Sequence, residues 1–407
     1  LISSFLLIII IPSLVTGPFL PDLSISIIGI LFLLKYFINI QKNQYNLSIN
    51  KFIIIFLTFY TLIIVSSLFS ENIFHSFESS LFYFRFGIFA LAVPYLLLEN
   101  KKILNYFFVV ALITFFIVSL DGLYEVIYGH NILNNKAFPG RIAGLFGDEW
   151  VIGSFLSRIL PILICLYLIN QNKYNNFFKF FFIVTIILSI VTISLSGERA
   201  AFIFLIIGIL LYLVLFLKNY FSKFKTFGIV LILFLLAILS SPFMIENSKD
   251  RIFDSMKAHT SLDLNKNHYL AYYNSAYEMF LNKPILGHGP KSFRLKCDDF
   301  KNYDIGCNMH PHNTYLQLLS ETGFLGFIFI FSFFIYISMN LLKILLKKNI
   351  TNYDLCKFSI LISIFINTFP FIPSGSFFNN WTSVIYFLPL GFYLYLIENK
   401  KYMMKEQ

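Results

Sequence analysis

The sequence has little charge, and what it has is unevenly placed. Charged residues are only 13% of the 407 residues and hydrophobic residues are 57%, against roughly 25% and 45–50% in ordinary soluble domains. With a mean hydropathy of +0.75, most of the chain has no polar face to show water, which excludes a soluble enzyme, a disordered chain and a collagen-like one. The formal net charge of +10 suggests nucleic-acid binding, but the distribution of the basic residues argues against it. The 52 Phe and 24 Tyr accompany many Ile, Asn and Lys, as a coding bias would produce, and do not mark an aromatic binding surface. There is no period-2 alternation of the barrel-strand kind, no internal repeat and no glycine-rich loop of the Walker type. The first apolar run lacks a basic n-region and a small-residue cleavage site, so it reads as a membrane span and not as a cleaved signal.

Long apolar runs recur instead, each able to cross a hydrocarbon layer of roughly 30 Å as a helix. They lie at 2–17, 21–38, 52–70, 80–98, 103–121, 149–169, 178–195, 199–217, 225–243, 313–341, 355–373 and 379–397. The expectation is an all-α integral membrane protein with about twelve transmembrane helices and one long, partly helical periplasmic loop. The division is 1–243 for helices one to nine, 244–312 for the loop, and 313–407 for the last three helices and a cytoplasmic tail.

One set of alternate connections carries seventeen lysines, among them Lys35, Lys101, Lys223, Lys347 and Lys400, whereas the short connections on the other side hold only Lys136, Arg141 and Arg199. The lysine-rich set is therefore expected inside. None of those seventeen residues is Arg. All six arginines (Arg85, Arg141, Arg158, Arg199, Arg251, Arg294) and all seven histidines fall outside or in the outer half of a span. Guanidinium, the better fork for phosphate, is thus kept for the outer face. Within the loop, 268–280 reads as an amphipathic helix with Tyr269, Tyr272, Tyr273 and Tyr277 along a stripe, followed by a turn at Gly287-His288-Gly289-Pro290.

Arg85, Arg158 and Arg199 enter apolar runs. A charge at that depth costs roughly 2.5–3.5 kcal/mol on insertion scales, so it either snorkels to the headgroups or faces a cavity or partner. Together the three suggest an anion site in the outer leaflet, and a sugar carrier joined to lipid through a diphosphate is the anion that fits that depth. In Met309-His310-Pro311-His312-Asn313-Thr314, His312 stands at a helix entry, with Asn313 or Thr314 as cap. A neutral imidazole there can take a proton from a hydroxyl. A metal set of His310, His312 and Asp304 does not match helical zinc spacing, so no metal or other cofactor is expected. Glu149, Glu198 and Glu321 are acidic candidates, Glu321 with a buried Arg as its structural alternative. Cys297 and Cys307 are either bridged, in an oxidising compartment, or two thiols.

Four stretches then resemble the O-antigen ligase and polymerase superfamily. They are His310-Pro311-His312-Asn313 through Glu321-Thr322-Gly323-Phe324-Leu325-Gly326, Arg141-Ile142-Ala143-Gly144-Leu145-Phe146-Gly147-Asp148-Glu149, Ser196-Gly197-Glu198-Arg199, and Pro284-Ile285-Leu286-Gly287-His288-Gly289-Pro290. The resemblance covers roughly residues 120–340. It implies transfer of a glycan from undecaprenyl diphosphate to an acceptor hydroxyl, without a metal, on the periplasmic face of the bacterial inner membrane. By the same resemblance His312 and Arg199 match the catalytic pair and Arg251 a loop arginine; the family often has Asn where this chain has Glu149. Joined to the reading of the residues, Arg251, Arg158, Arg141 and Asn313 are the expected substrate-binding set. The expected reaction is an inverting, ligase-type glycosyl transfer to lipid A–core. The alternatives are a polymerase with the growing glycan as acceptor and a non-catalytic glycan transporter. Membrane lipids are expected around the bundle; nucleic acid is not a partner.

Overall fold

The computed structural model describes residues 1–38, 47–136, 140–220, 267–302 and 305–400. Among these residues every regular element is a helix, apart from one isolated bridge between His130 and Lys136. The first apolar run is split into α1 (Ile2–Ile8) and α2 (Ile10–Val15). Pro12 accounts for the break, because its ring meets the carbonyl four residues earlier. There follow α3 (Phe19–Ile38), α4 (Leu47–Leu68), the short α5 (Ile73–Ser80), α6 (Phe84–Glu99), α7 (Lys102–Tyr128), α8 (Ile152–Asn170), α9 (Asn176–Leu195) and α10 (Arg199–Tyr220). From residue 267 onward come α11 (His268–Asn282), α12 (Phe293–Phe300), α13 (Thr314–Leu346), α14 (Asn352–Asn367) and α15 (Asn380–Glu398).

Nine helical segments among the described residues are long and apolar enough to cross a membrane. The chain is a multi-pass, all-α integral membrane protein. Of the other three expected spans, the first is the broken α1–α2 pair and 225–243 lies outside the described residues. The third is α14, only 16 residues long; it stops at Asn367, not at residue 373, ahead of Pro370 and Pro373. Side chains such as Leu34, Ile54, Ile117, Phe180, Leu210 and Leu342 are exposed on these helices, as a lipid-facing surface requires.

The polar contacts between helices sort by end of the bundle. At one end Lys35 of α3 pairs with Glu99 of α6 at 2.6 Å, Asn170 donates to Asn105, and Lys347 pairs with Asp354 at 2.6 Å. At the other, Arg85 of α6 pairs with Asp22 of α3 at 2.8 Å and donates to Asn380 of α15. Every one of these contacts joins helix ends that the expected up-and-down order puts together. We refer to the ends as the lysine end and the histidine end.

At the histidine end, two resembling stretches lock into each other. Gly323 interrupts α13 at φ 67°, ψ −167°, a conformation open essentially only to glycine. The break frees carbonyls before it and N–H groups after it. The Pro284–Gly289 turn takes up both: His288 N–H and Gly289 N–H donate to Ser320 O (3.0 Å) and Glu321 O (2.8 Å), while Phe324 N–H donates to Pro284 O (2.7 Å). A Cβ at Gly323 would collide with the backbone carbonyl of Ile285. Ser66 at the end of α4 closes the lock, donating to Leu286 O at 2.7 Å and Glu321 O at 3.0 Å.

The second lock holds the Gly140–Gly147 loop. Glu125 of α7 accepts from Ala143 N–H at 3.1 Å and Gly144 N–H at 2.5 Å. Gly197 lies against the Gly140 carbonyl so closely that no Cβ could fit. Glu198 accepts from Gly153 N–H (2.6 Å) and Ser154 N–H (3.1 Å) in the first turn of α8, satisfying donors that a helix start leaves open.

Over the histidine end, α11 and α12 form a small apolar core of Ala276, Met279, Phe293 and Cys297, against which Tyr272, Phe300, Cys307 and Leu316 pack. Cys297 and Cys307 are joined by a disulfide, their Cα atoms 5.2 Å apart.

Candidate functional site

Asn313 starts α13. Its Oδ1 accepts from Tyr315 N–H (2.9 Å) and Leu316 N–H (3.1 Å), and its Nδ2 donates to Pro370 O at 2.9 Å. The side chain expected to touch substrate is thus occupied as a helix cap and a tie to the α14–α15 loop. That loop also clamps the residue before it, with Ser374 N–H donating to His312 O at 2.9 Å and Ser374 Oγ accepting from Thr314 N–H at 2.8 Å. The clamp holds His312 at φ 56°, in the left-handed region where a residue with a Cβ is strained.

The His312 ring lies among Tyr269 (5.6 Å between centroids), Tyr272 (5.8 Å) and His310 (4.2 Å). Its Nε2 is 3.3 Å from Asn308 Nδ2. Burial, and then the positive Arg141 guanidinium, lowers the His312 pKa below its ordinary value. His310 is pushed down to about 4 by burial first, then by His312; a hydrogen bond to the Ser374 backbone opposes the shift. Both imidazoles are therefore neutral at pH 7 and able to accept a proton.

Around them are guanidinium atoms that are buried yet unpartnered among the described residues: Arg141 Nε and Arg294 Nε. Leaving a buried donor unpaired costs about 1–3 kcal/mol, and more for a charged group, so such a cluster is suited to a hydrogen-bonding anion. Arg141 is carried to the site by the second lock and lies over the Trp150 ring at 5.6 Å. Glu198 behind it has its pKa raised to about 7, by burial against the opposing hydrogen bonds of Ser154 and Gly153 and the charge of Arg141. Arg294 is held by α12, whose first N–H, that of Phe293, is bound at 3.2 Å by the fully buried Glu321. The carboxylate of Glu321 also accepts from Gln317 Nε2 at 3.0 Å. The alternative of a buried arginine partner thus gives way to backbone and amide partners.

Of the expected site residues, His312 and Arg141 come together here. Arg199 is the first residue of α10, exposed at the same end and next to Glu198. Arg158 is only 5% exposed; it donates to Asn367 at 2.7 Å and covers the Phe204 ring at 4.7 Å. Its partners are protein groups within the bundle, not an open site. Arg251, and Asp304 of the metal set, lie outside the described residues. Sequence reasoning did not single out Arg294 or Asn308. The first was visible as one of six outward arginines; the second had no signal beyond its nearness to the histidines.

Residues 183–331 match a family model described as O-antigen ligase. Over those residues the chain is similar to the O-antigen ligases. The match supports the O-antigen ligase and polymerase superfamily and takes in three of the four resembling stretches, the Ser196–Arg199 step, the Pro284–Pro290 turn and the His310–Gly326 helix. It covers just over a third of the chain. Arg141 and Arg158 fall outside it, and Arg141 enters the site through its loop's contact with Ser196 and Gly197. No curated protein matches the chain. The family suggests a glycosyltransferase-like enzyme acting on lipid-linked glycans and polysaccharides.

Proposed function

We propose that this protein is a ligase-type, inverting glycosyltransferase that needs no metal. It would move a glycan from undecaprenyl diphosphate to a hydroxyl of lipid A–core, at the periplasmic face of the bacterial inner membrane. The lysine bias of the connections supports that orientation. The observation that carries the chemistry is a neutral His312 beside the buried Nε–H groups of Arg141 and Arg294, which have no hydrogen-bond partner among the described residues.

In this reading Arg141 and Arg294 hold the diphosphate, with Arg199 at the same end, and stabilise the charge that grows on it, a role that the family resemblance also gives to Arg251, outside the described residues. The acceptor oxygen attacks the anomeric carbon from the face opposite the diphosphate. The bond from that carbon to the diphosphate oxygen breaks, its electron pair leaves with the diphosphate, and the hydroxyl proton passes to His312. Cleavage of the diphosphate ester supplies the driving force. Arg158 keeps the bundle closed and does not bind the glycan carrier. A polymerase would use the same groups with a growing lipid-linked chain as acceptor, so the assay offers both acceptors.

Transfer from lipid-linked glycan in purified membranes, with chelator present, tests the reading. His312→Ala should lose about 10²–10⁴-fold in rate, and Arg141→Gln about 10²-fold. Lys348→Ala, exposed at the lysine end, should match wild type. Full turnover by His312→Ala would end the general-base role, and loss of wild-type activity on chelation would bring back a metal. Reporters at Lys347 and Asn302 should report opposite compartments; agreement between them would overturn the orientation.

A further inference from the structure

We infer that Asn308 is a positioning residue, holding His312 as the tautomer whose lone pair is on Nε2, and that the Cys297–Cys307 bridge fixes the segment that carries it. The inference rests on the reading of His312 as the base.

An amide can present either its oxygen or its NH₂ to a ring, and here a neighbour decides which. Met309 N–H donates to Asn308 Oδ1 at 2.7 Å, so that end of the amide is the acceptor. The end 3.3 Å from His312 Nε2 is therefore the NH₂. A donor aimed at a ring nitrogen requires a lone pair there, so the ring proton sits on Nδ1 and Nε2 is the basic atom. Asn308 thus holds the base ready, and an acceptor hydroxyl replaces it by offering the same kind of donor.

Asn308 directly follows Cys307, whose bridge reaches Cys297 in α12, a residue with no exposure in the apolar core of the loop. The bridge ties the segment to α12, the helix that also carries Arg294. The groups facing His312 are Tyr269 and Tyr272 from α11, His310 from its own segment, and Arg141 from the Gly140–Gly147 loop. The α14–α15 loop contributes Ser374.

A donor to Nε2 favours the neutral ring over the imidazolium. Its removal in Asn308→Ala should raise the midpoint at which His312 protonates by about 0.5–1 unit, and Asn308→Asp, which offers an acceptor, by more. Acylation of His312 with diethyl pyrocarbonate, followed across pH by tandem mass spectrometry, reads that midpoint without turnover. The order wild type, Ala, Asp is expected, with the acid limb of the transfer rate moving in step. Cys297→Ser should shift the midpoint in the same direction as Asn308→Ala. An unmoved midpoint in Asn308→Asp would overturn the role of Asn308, and an unmoved one in Cys297→Ser would overturn that of the bridge. An active His312→Ala would instead remove the base assignment and leave the tautomer measurement standing.

Discussion

The two locks at the histidine end solve the same problem by different chemistry. The Pro284–Gly289 turn is bound to the broken α13 by main-chain hydrogen bonds, with glycines letting backbone meet backbone. The Gly140–Gly147 loop hangs on two carboxylates, Glu125 holding its N–H groups and Glu198 holding the helix start beside it. The bonds of the first lock join main-chain groups and the Ser66 hydroxyl, none of which changes charge, although the elements it joins also carry His288 and Glu321. The second brings Arg141, the part that meets charge, and is itself set by charge. The contrast teaches that the side carrying His312 and Arg294 is fastened by main-chain bonds, while Arg141 is held by groups that respond to charge.

The sharpest way to break that contrast is Gly323→Ala. Alanine at φ 67°, ψ −167° is strained, and its Cβ would also overlap the Ile285 carbonyl, for a combined cost of about 3 kcal/mol. The loop should detach from α13 and become open to protease near Pro284, and transfer should be lost. An Ala variant with wild-type protease resistance would show that the break in α13 does not depend on glycine.

The sequence made the two locks visible as motifs but not as partners. Hydropathy placed the spans because lipid demands length and apolarity from each helix separately. It failed where that demand was met locally but packing or proline decided otherwise, as at Pro12 and beyond Asn367. The amphipathic stripe of 268–280 identified α11 because its period is local. The meeting of Gly287 with Glu321 and the pairing of Arg158 with Asn367, 209 residues away, are long-range facts that no spacing encodes. Arg294 was hidden for another reason. It lies in a stretch of mixed charge that reads as solvated surface, and only the fold turns its Nε inward. His312 could be singled out from the sequence because its place, in a His-Pro-His-Asn run at the entry of an apolar span, is a local feature.

A covalent tie separates the two sides next. Cys297→Ser removes a bridge spanning a sequence separation of 10, and a loop of that size is worth about 2–3 kcal/mol. The loss should be confined to α12 and the segment before His310, seen as faster amide exchange there, with the Gly140–Gly147 loop unchanged. In the untreated wild type neither cysteine should react with a bulky thiol reagent until a reductant is added. Labelling of the folded, unreduced protein would sink the bridge, and equal loss of protection in both locks would merge the two sides into one.

The smallest expected effect lies in the pH response of the second lock. Burial raises the Glu198 pKa from an ordinary 4.5 to about 7, so the folded protein holds that proton more tightly than the unfolded chain does. Stability contributed through this group is therefore fullest below pH 4.5 and declines as pH rises from there to about 7, where the folded group ionises. Glu198→Gln keeps an acceptor for Gly153 N–H and has no proton to lose. It should flatten the change in thermal midpoint across that window while leaving the midpoint at pH 5 within a few degrees of wild type, a shift of about 1 kcal/mol or less. Arg141 favours the ionised carboxylate, so Arg141→Gln should move the window upward, and a diphosphate that occupies Arg141 should act in the same direction. A Glu198→Gln protein with wild-type pH dependence would remove the charge-responsive half of the comparison.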